Sequence, residues 1–383
     1  MLYIHTTVKR IVHGSGCIKN APAEARRLGG TRALIVTDPG IAKAGVQKPL
    51  EDALEQDGIP WSVYDQAELE PTVDSIASCA AAAKDFKADV IFGIGGGSAL
   101  DTTKAAAVLL TNDGPISQYF GMDKVPLPLP PVILVPTTAG TGSEMTSISV
   151  LADTKKGGKW GVVSDHMYAD AVLLDPELTL GLPPAVTAMT GIDAFVHAME
   201  SYVNLSATPF TEGPDLHAML MISGNLRQAY TNGRNPQARE AMLYASSICG
   251  MGFSNTQNGV IHAIGMAVPA TYHLPHGLLM AACAPMGIAF NCHAAPEKYG
   301  EIAEILGCDT RGKNVFEAAE MAVVGFTKLM RDVDIEPGLK AYGVKEEDIR
   351  GIAERAAASA RLMDNNPRQA TADQLEALIR EHF

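Results

Sequence analysis

The residues best suited to chemistry lie in the second half of the chain. In Gly191-Ile192-Asp193-Ala194-Phe195-Val196-His197-Ala198-Met199-Glu200 the patterning is helical. Asp193 and His197 stand four apart, so a carboxylate and an imidazole share one helix face. Further on come Asn258-Gly259-Val260-Ile261-His262 and Tyr272-His273-Leu274-Pro275-His276-Gly277. His262 sits in a stretch with few charges, where an imidazole without a partner is costly to bury. His276 lies between Pro275 and Gly277, in a turn that can present it. One carboxylate and three imidazoles make a mixed oxygen and nitrogen donor set for Fe2+ or Zn2+. Each residue also has a plainer reading by itself: Asp193 and His197 as an ordinary helical ion pair, each histidine as a satisfied core or surface group.

A second group of residues is suited to binding phosphate. Phe92-Gly93-Ile94-Gly95-Gly96-Gly97-Ser98 follows an apolar run and opens a helix near Ala99. Glycines there let backbone approach a ligand closely, and the helix N-terminus offers free N–H groups and a positive dipole end. This is not the GxGxxG fingerprint, because Ser98 occupies the position of its last glycine. Asp101 and Lys104 extend the motif to GGGSxxDxxK. Pro136-Thr137-Thr138-Ala139-Gly140-Thr141-Gly142-Ser143-Glu144 is a second polar loop after an apolar run. Asp38 ends an earlier run, where a carboxylate can accept from an adenosine ribose and repel a 2′-phosphate. It serves equally as a turn-forming residue before Pro39. Two such loops on one sheet edge point to a dinucleotide.

The elements that must position these groups fall into two kinds. Ala33–Thr37, Trp61–Tyr64, Asp89–Ile94 and Pro131–Val135 read as strands, and Ser75–Lys84 and Leu100–Leu110 as helices between them. This alternation predicts a parallel sheet covered on both faces. After Pro183-Pro184 the strand signal stops, and Asp193–Val203, Leu216–Tyr230, Gln237–Met251 and Glu347–Arg361 read as helices. The division is therefore an α/β domain over 1–182 and an all-helical domain over 183–383. A net charge of −13 without a basic run argues against nucleic acid as a partner. The six cysteines lack CxxC spacing, and no apolar run is long enough to span a bilayer. A soluble cytoplasmic protein with free thiols is the expectation.

With these motifs in order, the sequence resembles the iron-containing (group III) alcohol dehydrogenase family. The matches are Gly95-Gly96-Gly97-Ser98-x-x-Asp101-x-x-Lys104, Thr137 to Glu144, Asp175-Pro176, Gly191-x-Asp193-Ala194-x-x-His197-Ala198-x-Glu200, His262 and His276-Gly277. They run from about Asp38 to Asn291. The resemblance implies a Rossmann-like parallel-sheet domain, then a helical domain of dehydroquinate synthase-like architecture, with the site in the cleft between them. It implies NAD(H) and one divalent metal, Fe2+ before Zn2+, held by Asp193, His197, His262 and His276. Gly95, Gly96, Gly97 and Ser98 would receive the pyrophosphate. Asp38, Asp101, Thr137, Thr138, Thr141, Ser143 and Lys159 complete the expected cofactor set. Homodimers or larger homo-oligomers are usual in the family.

One departure bears on the chemistry. Where the family commonly has a second histidine four residues after the one matching His262, this chain has Met266. A thioether carries no proton at neutral pH, so either the proton takes another route than the usual relay, or Met266 is an apolar wall shaping the pocket and the relay is unimportant. His273 is the nearest spare imidazole. The expected activity is hydride transfer between NAD(H) and a small alcohol or aldehyde, with the metal as Lewis acid. The substrate stays open among short aldehydes, diols, hydroxy acids and sulfonated or phosphonated aldehydes. The alternatives are a lyase or cyclase on the same scaffold and a non-catalytic cofactor-binding homologue.

Overall fold

In a computed structural model, which describes residues 3–153 and 158–383, the chain forms two compact units. The first comprises 1–138 and 142–180, and the second 139–141 and 181–383.

The first unit is built on nine strands among the described residues: β1 (Ile11–His13), β2 (Ala33–Val36), β3 (Trp61–Tyr64), β4 (Val90–Gly95), β5 (Gly121–Met122), β6 (Val132–Pro136), β7 (Ile148–Ala152), β8 (Lys159–Val163) and β9 (Ala171–Leu174). Six of them form a parallel sheet in the order β1-β9-β6-β4-β2-β3, and β5, β8 and β7 form a small separate sheet. The helices of this unit are α1 (Ala21–Arg27), α2 (Pro39–Ala44), α3 (Lys48–Gln56), α4 (Val73–Phe86) and α5 (Gly97–Thr111). Alternation along the strands supplies two cores. Leu34, Val36 and Ile91 pack on one face with α4 and α5 residues such as Ile76 and Ala105. Ala33, Ile35, Phe92 and Ile94 pack on the other with Leu50 and Leu54 of α3. Gly93 is required where α5 crosses the sheet, since a Cβ there would lie 2.5 Å from Thr103 Oγ1 and 2.8 Å from Leu134 Cδ2.

The expected parallel sheet covered on both faces is present. The sequence reading missed β1, β9 and the small sheet. β1 has three residues with only one half-buried, so its apolar signal is weak. Because β1 precedes it, the strand before the glycine loop is the fourth in the chain.

The second unit is helical: α6 (Pro184–Val203), α7 (Pro209–Thr231), α8 (Pro236–Thr256), α9 (Val260–Ala267), α10 (His276–Asn291), α11 (Pro296–Ile305), α12 (Val315–Arg331), α13 (Ile349–Ala357), α14 (Ala360–Met363) and α15 (Ala372–Glu381). Helices α6 and α7 begin nine and seven residues earlier than the apolar pattern alone predicts. Each opens on a proline at its first position, where the missing N–H costs nothing. The single helix expected over Glu347–Arg361 is broken at Ser359, whose ψ of 73° turns the chain so that Leu362 and Met363 enter the core. No helix among the described residues is long and apolar enough to cross a membrane. All six cysteines are free, and five are buried.

Candidate active site

In the sheet unit, the strand order places the topological switch between β2 and β4, because the chain leaves β2 toward β3 and then returns to build outward through β4 and β6. Ligands of open α/β folds bind at the carboxyl ends of the strands flanking such a point. Asp38 follows β2 and the glycine loop follows β4. They are close: a Cβ on Gly95 would lie 3.4 Å from Asp38 Oδ2, and 2.7 Å from Ala99 Cβ. Gly96 begins α5 without a side-chain cap, leaving the first-turn N–H groups to a ligand. The β6 loop joins them: Thr137 N–H donates to the Gly95 carbonyl (2.9 Å), and a Cβ on Gly96 would sit 3.5 Å from the Thr138 side chain. Thr137 Oγ1 is buried without a hydrogen-bond partner, as expected of a hydroxyl that completes its bonding to a ligand.

Several side chains expected along the cofactor are committed to protein partners. Asp101 is turned toward the loop after β6, where one oxygen accepts from Ser143 Oγ (2.5 Å) and the other from Val150 N–H (2.9 Å). Asp101 and Ser143 therefore share a loop-holding role. Lys104 completes it: fully buried, its ammonium donates to the Ser143 carbonyl (2.9 Å), to Thr146 Oγ1 (3.1 Å) and to the Ile148 carbonyl. Ser98 Oγ donates to the Leu69 carbonyl (2.5 Å), and Lys159 pairs with Glu70 (2.7 Å). Thr141 lies on the short turn that belongs to the helical unit.

Asp38 serves as the turn-forming residue the sequence allowed. Its Oδ1 caps α2 by accepting from Gly40 N–H (2.8 Å) and Ile41 N–H (3.0 Å), while Oδ2 faces the glycine loop. Asp38→Gly is therefore expected to fold, since glycine at an N-cap costs only a few tenths of a kcal/mol. It should raise kcat/KM for NADPH about 10-fold, because a unit charge 4 Å from a phosphate costs about 1 kcal/mol per charge even in bulk water. Steady-state comparison of NADH and NADPH for both proteins checks this. An unchanged cofactor ratio would show that the carboxylate does not face the ribose.

In the helical unit, Asp193 and His197 project from α6, His262 from the first turn of α9 and His276 from the start of α10. One ligand atom from each of the four falls within 4.8 Å of the others. The His197 and His262 Nε2 atoms are 3.1 Å apart, and His276 Nε2 is 3.8 Å from Asp193 Oδ1. Two nitrogen ligands on one tetrahedral ion lie about 3.4 Å apart, so the spacing suits a shared ion. Asp193 Oδ1 is buried without a hydrogen-bond partner. Burial pushes the Asp193 carboxyl up to about 7, opposed by His262 and reinforced by Glu200. Burial also drives His197 well below its usual value, with His262 and His276 adding to the effect. A neutral imidazole and an uncompensated buried carboxylate are what a cation completes. The donor set fits a divalent metal.

Glu200 orients this cluster, a role the sequence reading did not assign. His262 Nδ1 donates to Glu200 Oε2 (2.5 Å), and Ile261 N–H donates to Oε1 (2.6 Å). This fixes the His262 tautomer with its Nε2 lone pair toward the other ligands. The signal was available: Glu200 lies seven after Asp193 and three after His197, on the same helix face. Phe253 of α8 stacks on the His197 ring at 4.4 Å and 22°. Met266 lies one turn after His262 on α9 and is half-buried. His273 is exposed, in a left-handed conformation (φ 51°), and lies outside the four-residue cluster.

Comparison with known proteins gives the family. Residues 8–176 match the iron-containing alcohol dehydrogenase family, and residues 187–383 match the C-terminal region of the Fe-containing alcohol dehydrogenase family. The chain is 58% identical over 385 residues to a sulfoacetaldehyde reductase of Bilophila wadsworthia, covering 100% of both chains. It is similar to a crystal structure of 1,3-propanediol oxidoreductase, with a TM-score of 0.97, 35% identity and 100% of both chains covered. It is also similar to a sulfoacetaldehyde reductase from Bifidobacterium kashiwanohense in complex with NAD+, with a TM-score of 0.89, 28% identity and coverage of 100% and 99%. The chain belongs to the iron-containing alcohol dehydrogenase family. It is an oxidoreductase that uses NAD(H) and a divalent metal to interconvert small alcohols and aldehydes.

Proposed function

We propose that this enzyme reduces sulfoacetaldehyde to 2-hydroxyethanesulfonate with NADH. The observation that carries the reading is the 58% identity, over the whole length of both chains, to the sulfoacetaldehyde reductase of Bilophila wadsworthia. One aldehyde, one NADH and one proton give the primary alcohol and NAD+.

In this reading Asp193, His197, His262 and His276 hold the divalent ion, which supplies Lewis acidity to the substrate oxygen when bound. Glu200 keeps His262 in its ligating tautomer. Gly95, Gly96, Gly97 and Ser98 receive the pyrophosphate through backbone N–H groups, Thr137 and Thr138 border it, Thr141 is a further cofactor residue, and Asp38 accepts from the ribose. Lys159 stays with Glu70. Met266 forms an apolar wall of the pocket one turn from His262, so the alcohol proton comes from water or a ribose hydroxyl rather than from a side chain there. His273 stands outside this chemistry. The enzyme works as a homo-oligomer in the cytoplasm.

Purified enzyme is expected to oxidise NADH in equal amount with the formation of 2-hydroxyethanesulfonate, with a higher kcat/KM for sulfoacetaldehyde than for propanal or acetaldehyde. A neutral aldehyde preferred by about 10-fold, equivalent to about 1.4 kcal/mol in the barrier, would overturn the substrate assignment.

A further inference from the structure

An anionic substrate needs a cation near the carbonyl-binding site, and the helical unit restricts where one can come from. Helices α6, α9 and α10, which carry the four ligands, contain no lysine or arginine. Neither do the connections 257–259 and 268–275. Helix α8 contributes Phe253 against His197, and its one basic residue is Arg239. Arg239 is buried near the opposite end of α8, where it donates to the Gly233 and Leu182 carbonyls and to Thr187 Oγ1. Helices α13 and α14 pack against α9. On α13, Arg350 is held by Glu354, Asp373 and Glu376, and Arg355 donates through two nitrogens to the Ala267 carbonyl.

Arg361 of α14 differs from all of these. Its Nη1 donates to Gln257 Oε1 (2.8 Å), one neutral side-chain acceptor, whereas Arg239 and Arg355, which like it lack an ion-pair partner among the described residues, are each held by two or more bonds. The residue is exposed, yet surrounding atoms desolvate the guanidinium and lower its pKa. The residue that holds it is itself unusual. Gln257 caps α8 with φ 74° and ψ 178°, a conformation populated almost only by glycine. The chain holds Gln257 there: its N–H donates to the Phe253 carbonyl (2.8 Å), and its carbonyl accepts from Asn204 Nδ2 (3.3 Å) and Thr256 Oγ1 (3.0 Å). Strain of this kind persists where surrounding structure fixes a functional geometry. Gln257 thus links the turn between α8 and α9, one helical turn past the Phe253 that stacks on His197, to the lightly held Arg361 guanidinium. The adjoining segment is fixed as well, since buried Asn366 accepts from Val260 N–H (3.0 Å) at the start of α9.

We propose that Arg361, positioned by Gln257, binds the anionic group of a small sulfonated aldehyde and sets the preference for it over neutral aldehydes. The proposal rests on the substrate reading above. A planar guanidinium suits the flat face of three sulfonate oxygens, and a hydrogen bond to a charged group is stronger than a neutral one.

The test uses the metal-loaded enzyme with sulfoacetaldehyde, with propanal, and with ethanesulfonate, which has the anion but no carbonyl. Arg361→Gln is expected to lower kcat/KM for sulfoacetaldehyde about 10- to 100-fold, mainly through KM, and to change that for propanal less than about 2-fold. Arg361→Lys should recover part of the loss. Gln257→Glu, which keeps the arginine but neutralises it, should act in the same direction. Ethanesulfonate should inhibit propanal reduction by wild type competitively and the Arg361→Gln protein weakly. Equal losses on both aldehydes, no loss on either, or a selective loss in His273→Gln instead, would overturn the assignment. If wild type fails on sulfoacetaldehyde, the substrate reading falls, while ethanesulfonate competition against propanal still decides whether Arg361 binds an anion.

Discussion

His276→Ala is expected to give a folded protein that retains no divalent metal and reduces aldehyde about 1,000-fold less efficiently. Of the four ligands His276 is the most open, with its side chain 39% exposed against 6% for His197 and 3% for His262. Its truncation therefore leaves no large cavity, and the core of α6, α9 and α10 stays filled. What it removes is one donor of four, and a water entering from the exposed side is a weaker donor than the imidazole it replaces. The loss of Lewis acidity at the carbonyl corresponds to about 4 kcal/mol or more in the barrier, a fall of about 1,000-fold in kcat/KM. Three measurements check this: metal content after gel filtration, steady-state rate, and NADH binding by fluorescence. NADH binding should survive, because the loops that receive the cofactor in the sheet unit are intact. Full activity in demonstrably metal-free protein would overturn the assignment of the cluster.

How much of this was legible in the sequence depends on the kind of signal. Asp193 and His197 were visible because helical spacing puts i and i+4 on one face whatever the tertiary structure. That His262 and His276 join them was not a matter of spacing. It depends on α10 packing against both α6 and α9, which only the family pattern implied. Glu200 was in plain view on the same face and was passed over because it is not a ligand. Its role appears only when His262 Nδ1 is found against it. The glycine loop was legible as glycines between a strand and a helix. The fate of Asp101 and Lys104 was not, because the same motif that suggests a ligand site also buries a cation under the following loop. The short edge strand β1 escaped because three residues are too few for a period to be read. Gln257 and Arg361 carried no local signal: a glutamine at positive φ is set by its surroundings, not its type.

Gly277→Ala is expected to strip the metal from the site without altering any ligand. Gly277 follows His276 in the first turn of α10 and lies against α6. A Cβ added there would meet the Met189 carbonyl oxygen at 2.7 Å, the Met189 carbonyl carbon at 3.1 Å and Asp193 Cβ at 3.4 Å. The first two are helix backbone and cannot rotate away, so the two helices must separate by several tenths of an ångström. The displacement falls where it does most harm. Met189 lies one turn before Asp193, and Gly277 is bonded to His276, so the separation pulls His276 Nε2 from Asp193 Oδ1, now 3.8 Å apart. Ligand sites tolerate little such movement, since metal–ligand distances are fixed to about 0.2 Å. Overpacking of this kind costs about 1–3 kcal/mol in stability, which a chain with this large a helical core withstands. Metal affinity should fall by about 100-fold, comparable to the upper range for losing an orienting partner. Competition with a chelator of known affinity measures the metal term, and thermal unfolding of the metal-free proteins measures the packing term separately. A variant that holds its metal as wild type does, while unfolding at a lower temperature, would show that α10 gives way elsewhere along its length. A variant with weakened metal binding and nearly unchanged metal-free stability would show that this glycine sets the distance between the two helices for the sake of the site.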